Sequence, residues 1–424
     1  MRKFFIILAI IFLILSSSSF ILAQEDDIEV TIAGGSVGIE LELTKRAARM
    51  FEEEHPNVSV DVYETPDLSD DRKGLYLQYL EAKSPNIDVF QIDVIWPGEL
   101  SEHLLDLNEY GAEEVADMHF EAIIENNTVD GKLVAIPWFT DAGLLYYRTD
   151  LLEKYGFDGP PETWQELEEM AAVIQEGERE ENPDFWGYVW QGNAYEGLTC
   201  NALEWIESNG GGTIINDDRE VTINNEKAKE AVEMAASWVG EISPPGVTGL
   251  VEESSRKIFE AGNAAFLRNW PYVYALASQE DKATAGKFDV APLPAGDSGE
   301  SAATLGGWNL AVNKYSEHPE VAADLALFIA GYKIQKLRAV EGSFNPTIKE
   351  LYQDEEVLEA NPFFASLYDV FINAVPRPSS QAGKQYGRIS ERFFQATHSV
   401  LADESDVETA YSYLELEIED VLKD

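Results

Sequence analysis

The chain has 424 residues, of which 45% are hydrophobic and 11% aromatic, so it is a globular protein long enough for two or three domains. Its 78 acidic and 30 basic side chains give a net charge of −48 at pH 7. A surface with this charge repels nucleic acid and anionic lipid, which excludes both as partners. The only cysteine, Cys200, excludes a disulfide framework, and we expect its thiol to be buried and inert.

The chain begins with a segment that has the composition of a secretory signal. Two basic residues precede the apolar run Phe4–Leu15, and four serines then lead toward Ala23. This run is shorter than the roughly 20 apolar residues that a membrane span needs. We therefore predict a signal peptide over residues 1–23 and a protein exported to the periplasm or the cell surface. An uncleaved membrane anchor is the alternative.

Strand-like and helix-like stretches alternate after this segment. Period-two or continuous apolar stretches predict strands, and apolar residues three and four apart predict helices. The predicted strands are Ile28–Ala33, Val58–Tyr63, Val89–Val94, Val134–Pro137, Leu144–Tyr147, Ala264–Leu267, Phe288–Ala291 and Trp308–Val312. The predicted helices include Ile39–His55, Leu75–Ala82 and Thr163–Gly177. This order predicts an α/β protein of two lobes with largely parallel sheets, between which the chain crosses more than once.

The sequence G-x-S-x-G at Gly34–Gly38 lies between a predicted strand and a predicted helix. That context fits a hydrolase nucleophile elbow, but the motif follows the first strand, and the distant His398 has no evident acid partner. The favoured interpretation is a tight turn whose backbone N–H groups point at a ligand.

No motif indicates metal or nucleotide chemistry. The sequence has no phosphate-binding loop and no dinucleotide fingerprint, and we expect neither a metal nor a cofactor. The five histidines are scattered without metal-ligand spacing: His55, His103, His119, His318 and His398.

An aromatic or acidic residue recurs just after short strands. The examples are Asp93 with Trp96, Asp141, Trp270, and Gly307 with Trp308. Ligands of α/β sheets bind beyond strand ends, so these residues are predicted to converge. Indoles pack on the apolar face of a pyranose, and carboxylates accept hydrogen bonds from its hydroxyls. The pattern therefore favours a sugar site.

Eight segments in order resemble the substrate-binding proteins of bacterial and archaeal ABC sugar importers, with the trehalose/maltose-binding branch most similar. The resemblance runs from about Ile28 to the C-terminus. The segments are DVFQIDVIW, AIPWFTDAGLLYYRTDLLEKYG, PPETWQELEEMA, FWGYVWQGNAYEGL, GNAAFLRNWPY, VAPLP, SAATLGGW and NAVPRP.

This resemblance implies a type II periplasmic-binding-protein fold, whose two lobes close on a disaccharide and present it to the permease subunits of an ABC transporter. The protein would be a monomer and not an enzyme. We expect lobe 1 to comprise residues 24–142 and 290–342, and lobe 2 to comprise 143–289 and 343–424.

Carried over by position, the resemblance also implies a ligand-binding set. Asp93, Asp141 and Arg377 would hydrogen-bond sugar hydroxyls. Trp270 and Trp308 would stack on the two rings. The remaining members are the Gly307 backbone, the acid Glu40, Phe139 in place of a frequent tyrosine, and the second-lobe residues Tyr195 and Glu196. For the last two, packing at a helix N-terminus is an equal alternative.

Two other classes of protein remain as alternatives. A glycoside hydrolase could use Asp93 and Asp141 as acid and nucleophile, since paired carboxylates and tryptophans also build such sites. A surface adhesin would carry repeats or a wall anchor, and the sequence contains neither.

Overall fold

The computed structural model describes residues 28–423, so the predicted signal peptide lies outside the described residues. The strands are β1 Ile28–Gly34, β2 Val58–Glu64, β3 Val89–Asp93, β4 Thr128–Val129, β5 Lys132–Leu133, β6 Ile136–Ala142, β7 Leu144–Arg148, β8 Trp186–Val189, β9 Ala264–Asn269, β10 Phe288–Ala291 and β11 Leu305–Val312.

The helices fall mostly between and after these strands. They are α1 Glu40–Glu54, α2 Ser69–Glu81, α3 Pro97–Leu100, α4 Glu113–Ala116, α5 Glu121–Asn126, α6 Thr149–Tyr155, α7 Trp164–Glu178, α8 Glu196–Ser208, α9 Glu226–Trp238, α10 Glu252–Glu260, α11 Val273–Ala277, α12 Pro319–Ala330, α13 Tyr332–Gly342, α14 Glu355–Ala360, α15 Phe363–Ser366, α16 Tyr368–Ile372, α17 Ser379–Ala382, α18 Tyr386–Leu401 and α19 Val407–Val421. Short 3₁₀ helices occupy Ser101–His103, Leu107–Tyr110, Pro245–Gly249, Lys349–Gln353 and Gly383–Gln385. Within the described part of the chain, every helix is too short or too polar to cross a bilayer.

The first sheet has the strand order β2-β1-β3-β11-β6. β1 pairs in parallel with β2 and β3, and α1 and α2 make the crossover connections that parallel strands require. β3 is buried along its whole length, as its apolar sequence predicts. β11 returns much later in the chain and inserts antiparallel between β3 and β6.

The second sheet has the order β10-β7-β9-β8 and packs against a core rich in tryptophan. Trp205 lies at the centre of this core, with its ring centroid 5.0 Å from that of Trp190 and 6.0 Å from that of Trp238. Cys200 on the neighbouring α8 is 2% exposed, which confirms the prediction of a buried thiol. Most tryptophans of this lobe are therefore structural.

The chain first passes from one sheet to the other at a single residue, Gly143, between β6 and β7. A Cβ there would lie 2.1 Å from Glu204 Oε1 and 2.7 Å from Arg268 Nη2, so only glycine fits. Those two side chains form a buried ion pair, in which Arg268 Nε donates to Glu204 Oε2 at 2.8 Å. Thr304 N, on a later connection, donates to Glu204 Oε1 at 3.1 Å. The ion pair thus joins two of the connections between the lobes.

Two later connections run side by side, because Val375 N donates to Ala303 O and Leu305 N donates to Val375 O, both at 2.8 Å. Before them, Ser298 N donates to Ser208 O in the second lobe at 3.1 Å.

The residues between these two connections pack on the first lobe. Thr140 N donates to Asn345 O at 3.0 Å, and His119 Nδ1 lies 2.7 Å from Thr347 Oγ1. The sequence-based boundaries placed 290–304 in lobe 1 and 343–374 in lobe 2, which does not match these contacts. We propose crossings near Gly143, Thr304 and Val375 instead.

The two-lobe α/β architecture predicted from sequence is confirmed, and most predicted elements begin or end within about three residues of those observed. The sheets are mixed and not largely parallel as expected, because β11 pairs antiparallel with β3 and β6, and β7 pairs antiparallel with β9 and β10. The main differences are α2, which begins at Ser69 instead of Leu75, and β6, which extends to Ala142 instead of ending at Pro137. The polar first turn of α2 gives no apolar periodicity, although acidic residues there favour the helix dipole. Pairing with β11 extends β6.

We predict that Glu204→Ala lowers the free energy of unfolding by about 3–5 kcal/mol, because it leaves the Arg268 guanidinium buried without its countercharge. Chemical denaturation of the purified protein would measure this change. The control is Glu54→Ala, which removes the exposed pair with Lys333 and should cost no more than about 1 kcal/mol. Equal effects of the two substitutions would contradict a special role for the buried pair.

Candidate ligand-binding site

A cleft lies between the two sheets, with a cavity volume of about 90 Å³. All ten residues predicted to bind ligand line it. The lining residues are Val37, Glu40, Asp67, Ser69, Arg72, Asp93, Phe139, Asp141, Tyr195, Glu196, Gly197, Cys200, Glu252, Trp270, Tyr272, Gly306, Gly307, Trp308, Phe344 and Arg377.

The first-lobe wall is built by the register of β11. Trp308 lies opposite Asp93 on one side and opposite Phe139 on the other, and the pairing with β6 shifts by one residue just after Trp308. Gly307 has φ of 118°, and a Cβ there would lie 2.5 Å from Phe139 O. The irregularity therefore requires glycine at 307.

Arg377 connects the two walls of the cleft. Its Nη2 donates to Asp93 Oδ1 and its Nη1 donates to Glu196 Oε1, both at 2.8 Å. Glu196 also accepts from Tyr386 and from Ser390 at 2.6 Å. Arg377 thus lies in the cavity wall, but both terminal nitrogens are already bonded to carboxylates from opposite lobes.

Glu40, at the start of α1, is held by a side-chain relay. Gln91 Nε2 donates to Glu40 Oε1 at 2.6 Å, and Gln91 Oε1 accepts from Gly35 N at 2.7 Å. The sequence predicted that backbone N–H groups of this glycine turn point at a ligand, which is wrong for Gly35. The Gly35 N–H instead holds the Gln91 side chain in the orientation in which its amide NH₂ group donates to Glu40.

Each of the two cleft indoles lies against a guanidinium. Arg268 Cζ is 4.0 Å from the Trp270 ring centroid, and Arg72 Cζ is 4.3 Å from that of Trp308. Such contacts hold the rings by cation–π attraction. Both indoles remain partly exposed, unlike the core tryptophans. They are therefore available as flat apolar surfaces in the cleft.

Glu252, at the start of α10, fixes two aromatic side chains of the second-lobe wall. Its Oε1 accepts from Trp270 Nε1 at 3.3 Å, and its Oε2 accepts from the Tyr195 hydroxyl at 2.6 Å. Tyr195 is buried with this bond made. Tyr195 and Glu196 thus line the cavity and also make structural hydrogen bonds, which leaves both interpretations of them in place.

Asp141 differs from the other carboxylates of the cleft. It is 7% exposed, and its Oδ1 has no hydrogen-bond partner within residues 28–423. Burial first, and then the charge of Glu40, raise the pKa of Asp141 well above its usual range, against the opposing charge of Arg338. Burial also raises the pKa of Asp93, where Arg377 opposes the rise. Asp141 is thus an acceptor that the described protein leaves unused.

Contacts across the cleft mouth show a closed arrangement. Asp70 Oδ2, on the first lobe, accepts from Glu196 N on the second lobe at 3.0 Å. At Gly38, with φ of 61°, a Cβ would lie 3.0 Å from the ring of Tyr272. The glycine therefore allows the first-lobe turn to approach the second lobe.

Several lining residues were not predicted, most clearly Arg72, Glu252, Tyr272 and Phe344. Arg72 and Glu252 belong to charged helix starts, which sequence patterns indicate as solvated faces. Arg72 is nevertheless buried, with Nε and Nη2 donating to Pro66 O. For Arg72, the available signal was a charged residue in the first turn of a helix that follows a strand, whereas the helix of Glu252 follows a 3₁₀ helix and gave no such signal.

Residues 28–423 assemble neither a serine–histidine pair around Ser36 nor a metal centre. Ser36 Oγ lies 2.6 Å from Asp67 Oδ1 and 3.0 Å from Thr65 O, with no histidine among its hydrogen-bond partners. His398 is bonded instead to Thr248 O at 3.1 Å. No three potential metal ligands converge within residues 28–423. Burial raises the pKa of the Cys200 thiol to about 12, so it is not a nucleophile at neutral pH.

Residues 38–336 match the family model described as bacterial extracellular solute-binding protein. The chain belongs to this family. The family is one of binding proteins that serve ABC transporters, so the expectation of a non-enzymatic protein is confirmed and the glycoside hydrolase alternative is not supported.

Relatives of this solute-binding protein agree. It is 50% identical over 393 residues to a probable ABC transporter-binding protein of Deinococcus radiodurans, covering 93% of each chain. The maltodextrin-binding protein MdxE of Bacillus subtilis is 26% identical over 64% of this chain and 62% of its own. The maltose-bound structure of Thermotoga maritima MalE3 superposes with a TM-score of 0.89 at 39% identity, covering 93% of this chain and 100% of that one.

We predict that Gly38→Ala weakens solute binding about tenfold, or ~1.4 kcal/mol, because the added Cβ contacts Tyr272 only when the lobes are closed. The matched control is Gly111→Ala, which imposes the same backbone strain at φ of 79° but has no atom within 4 Å of the new Cβ. Calorimetric titration and small-angle scattering of the ligand-saturated variants would show the difference. Equal losses in both variants would assign the effect to backbone strain alone.

Proposed function

We propose that this solute-binding protein captures an α-linked glucose disaccharide of the trehalose or maltose type by lobe closure. It then presents the sugar to the permease of an ABC transporter. The observation that carries this proposal is the composition of the cleft. Two partly exposed indoles, Trp270 and Trp308, share one cavity with carboxylates that include the unpartnered Asp141. The rings of a disaccharide can stack on the indoles, and its hydroxyls can donate hydrogen bonds to the carboxylates.

The charge of the cleft supports a neutral ligand. Its lining has six carboxylates and two guanidiniums, those of Arg72 and Arg377. Neutral hydroxyls donate to carboxylates at little cost, whereas an anionic ligand would be repelled. A phosphorylated or uronate-bearing sugar is therefore excluded by the same groups that accept from hydroxyls.

The relatives support the same class of ligand. Thermotoga maritima MalE3, at 39% identity, is a maltose-bound structure, and MdxE is named a maltodextrin-binding protein.

Phe139 has no hydroxyl, so the side chain at this position can offer the sugar only an apolar contact. The hydrogen bond that Glu196 N donates to Asp70 across the cleft mouth supports capture by closure. The closed lobes would then form the surface that the permease recognises.

The experiment is calorimetric titration with trehalose, maltose, sucrose and maltotriose. We expect saturable binding of at least one disaccharide, with a matching rise in unfolding temperature. The uronate analogue of the bound sugar, in which a carboxylate replaces one hydroxymethyl group, should bind at least about tenfold more weakly because of the acidic lining. A panel without any binder, or one in which only polyols bind, would overturn the assigned ligand class. Release of glucose would revive the hydrolase alternative.

We predict that Trp270→Ala weakens sugar binding by roughly 2 kcal/mol or more, because it removes a stacking surface and frees Glu252. The matched control is Trp186→Ala. Trp186 is also partly buried and has Arg179 Cζ 4.2 Å from its ring, but it lies outside the cleft. Titration of both variants with the sugar identified above would compare them. Unchanged affinity in Trp270→Ala would show that this indole does not contact the ligand.

A further inference from the structure

Arg338 is buried without hydrogen bonds, directly behind the sugar-facing wall. It is 1% exposed, and Nε, Nη1 and Nη2 have no hydrogen-bond partner within the described chain. Its closest carboxylate atom is Glu40 Oε1, 3.8 Å from Nη2. A buried guanidinium with no hydrogen bond is costly, so packing alone does not explain an arginine at this position.

Aromatic rings enclose the guanidinium and substitute for part of its hydration. Its Cζ lies 3.9 Å from the Trp138 ring centroid, 4.3 Å from that of Phe344 and 5.0 Å from that of Phe139. Ser343, in a left-handed conformation with φ of 53°, ends α13 and turns the chain so that Phe344 packs over Arg338. The rings hold the charge in place by cation–π attraction but give it no hydrogen bonds. The charge of the guanidinium is therefore available for electrostatic interaction with nearby carboxylates.

Two carboxylates of the cleft, Glu40 and Asp141, interact electrostatically with Arg338. Asp93 and Glu196 share Arg377, whereas Glu40 and Asp141 have no hydrogen bond from any guanidinium. The charge of Glu40 disfavours the ionised form of Asp141, and a nearby cation offsets this repulsion. Arg338 is the cation that interacts with both, and burial lowers its own pKa only to about 10, so it stays charged at neutral pH.

We propose that Arg338 is a positioning residue of the ligand site, whose charge offsets those of Glu40 and Asp141, so that these carboxylates accept hydrogen bonds from ligand hydroxyls while Arg338 never contacts the ligand. Asp141, with its free Oδ1, is the group through which it acts. This inference rests on the proposed sugar function. The other charged and titratable groups that interact with this pair are Arg72, Tyr76, Asp93, Tyr146, Arg268 and Tyr352.

The affinity for a ligand hydroxyl depends on pH through the protonation of Asp141. Burial and Glu40 already raise the pKa of Asp141, and Arg338 opposes them. If a hydroxyl donates to the ionised carboxylate, affinity is full above this pKa and is lost as pH falls through it. Removing the Arg338 charge raises the pKa of Asp141 further, so the loss of affinity begins at a higher pH.

The test is Arg338→Met, which keeps an unbranched apolar side chain among the rings, with Arg338→Lys to restore the charge. Sugar titration from pH 4 to 9 should show at least tenfold weaker binding by the Met variant at pH 7. The difference in affinity between the Met variant and the wild-type protein should shrink at higher pH. The Lys variant should recover part of the lost affinity. The unfolding temperature of the Met variant should be unchanged or higher, since the arginine makes no hydrogen bond. In an Asp141→Asn background, the same substitution should have a smaller effect.

A matched control is Arg179→Met, which removes another arginine stacked on a tryptophan but away from the cleft. It should leave both affinity and its pH profile unchanged. Loss of fold in Arg338→Met, or an affinity loss that is the same at every pH and in the Asp141→Asn background, would show a merely structural role and overturn the proposal.

One measurement needs no ligand and separates this inference from the proposed function. Carbon-13 NMR titration of aspartate carboxyls, with Asp141→Asn for assignment, should show the Asp141 midpoint rising in Arg338→Met. If this shift occurs but no sugar binds the wild-type protein, the proposed function fails and the electrostatic role of Arg338 stands. If the midpoint does not move, the inference fails whatever the ligand is.

Discussion

The insertion of β11 between β3 and β6 is the constraint on which the ligand site depends. β3 and β6 lie more than 40 residues apart in the chain, and β11 follows β6 by more than 150. Antiparallel pairing brings Trp308 opposite both Asp93 and Phe139 and sets Gly306 opposite Asp141. Because side chains alternate across a strand, a slip of β11 by one residue would turn Trp308 away from the cleft. The one-residue irregularity after Trp308, made feasible by Gly307, is therefore part of the site.

The acidic cleft is balanced by arginines that act in different ways. Arg377 joins carboxylates from the two lobes through hydrogen bonds. Arg72 and Arg268 each stack on a cleft indole, and Arg268 also neutralises Glu204 beneath the crossing. Arg338 contributes only its charge, because the rings around it offer no acceptor. Charge, stacking and hydrogen bonding are thus divided among separate guanidiniums.

The connections between the lobes have both rigid and movable parts. The Glu204–Arg268 pair and the hydrogen bonds of Val375 fix the connecting strands to each other. The lobes also meet away from these connections, through the Asp70 hydrogen bond, the approach of Gly38 to Tyr272, the ion pair of Lys384 with Glu102 and the ring contact of Tyr274 with Phe363. Connecting strands that are fixed to each other suit a hinge about which the two lobes close around a ligand.

Much of the fold could be predicted from local patterns in the sequence. The apolar strand Val89–Asp93, the capped helix after Thr163 and the strand before Trp270 follow from periodicity and turn residues alone. Trp270 and Trp308 could be separated from the core tryptophans only because each follows a strand and neighbours polar residues. Even so, the crossings that we propose near Thr304 and Val375 could not be predicted, because the backbone hydrogen bonds that suggest them join distant parts of the chain.

The sequence by itself determined the alternation of strands and helices, the acidic character of the surface and the side chains able to meet a sugar, because those depend on local composition and period. Only the tertiary structure decided which of those side chains remain free. It showed that Arg377 and Glu196 are bonded to each other, that Gly35 orients Gln91, and that Arg338 lies unbonded behind the cleft. These are consequences of long-range packing, in which the partner of a charge lies tens or hundreds of residues away and leaves no local pattern.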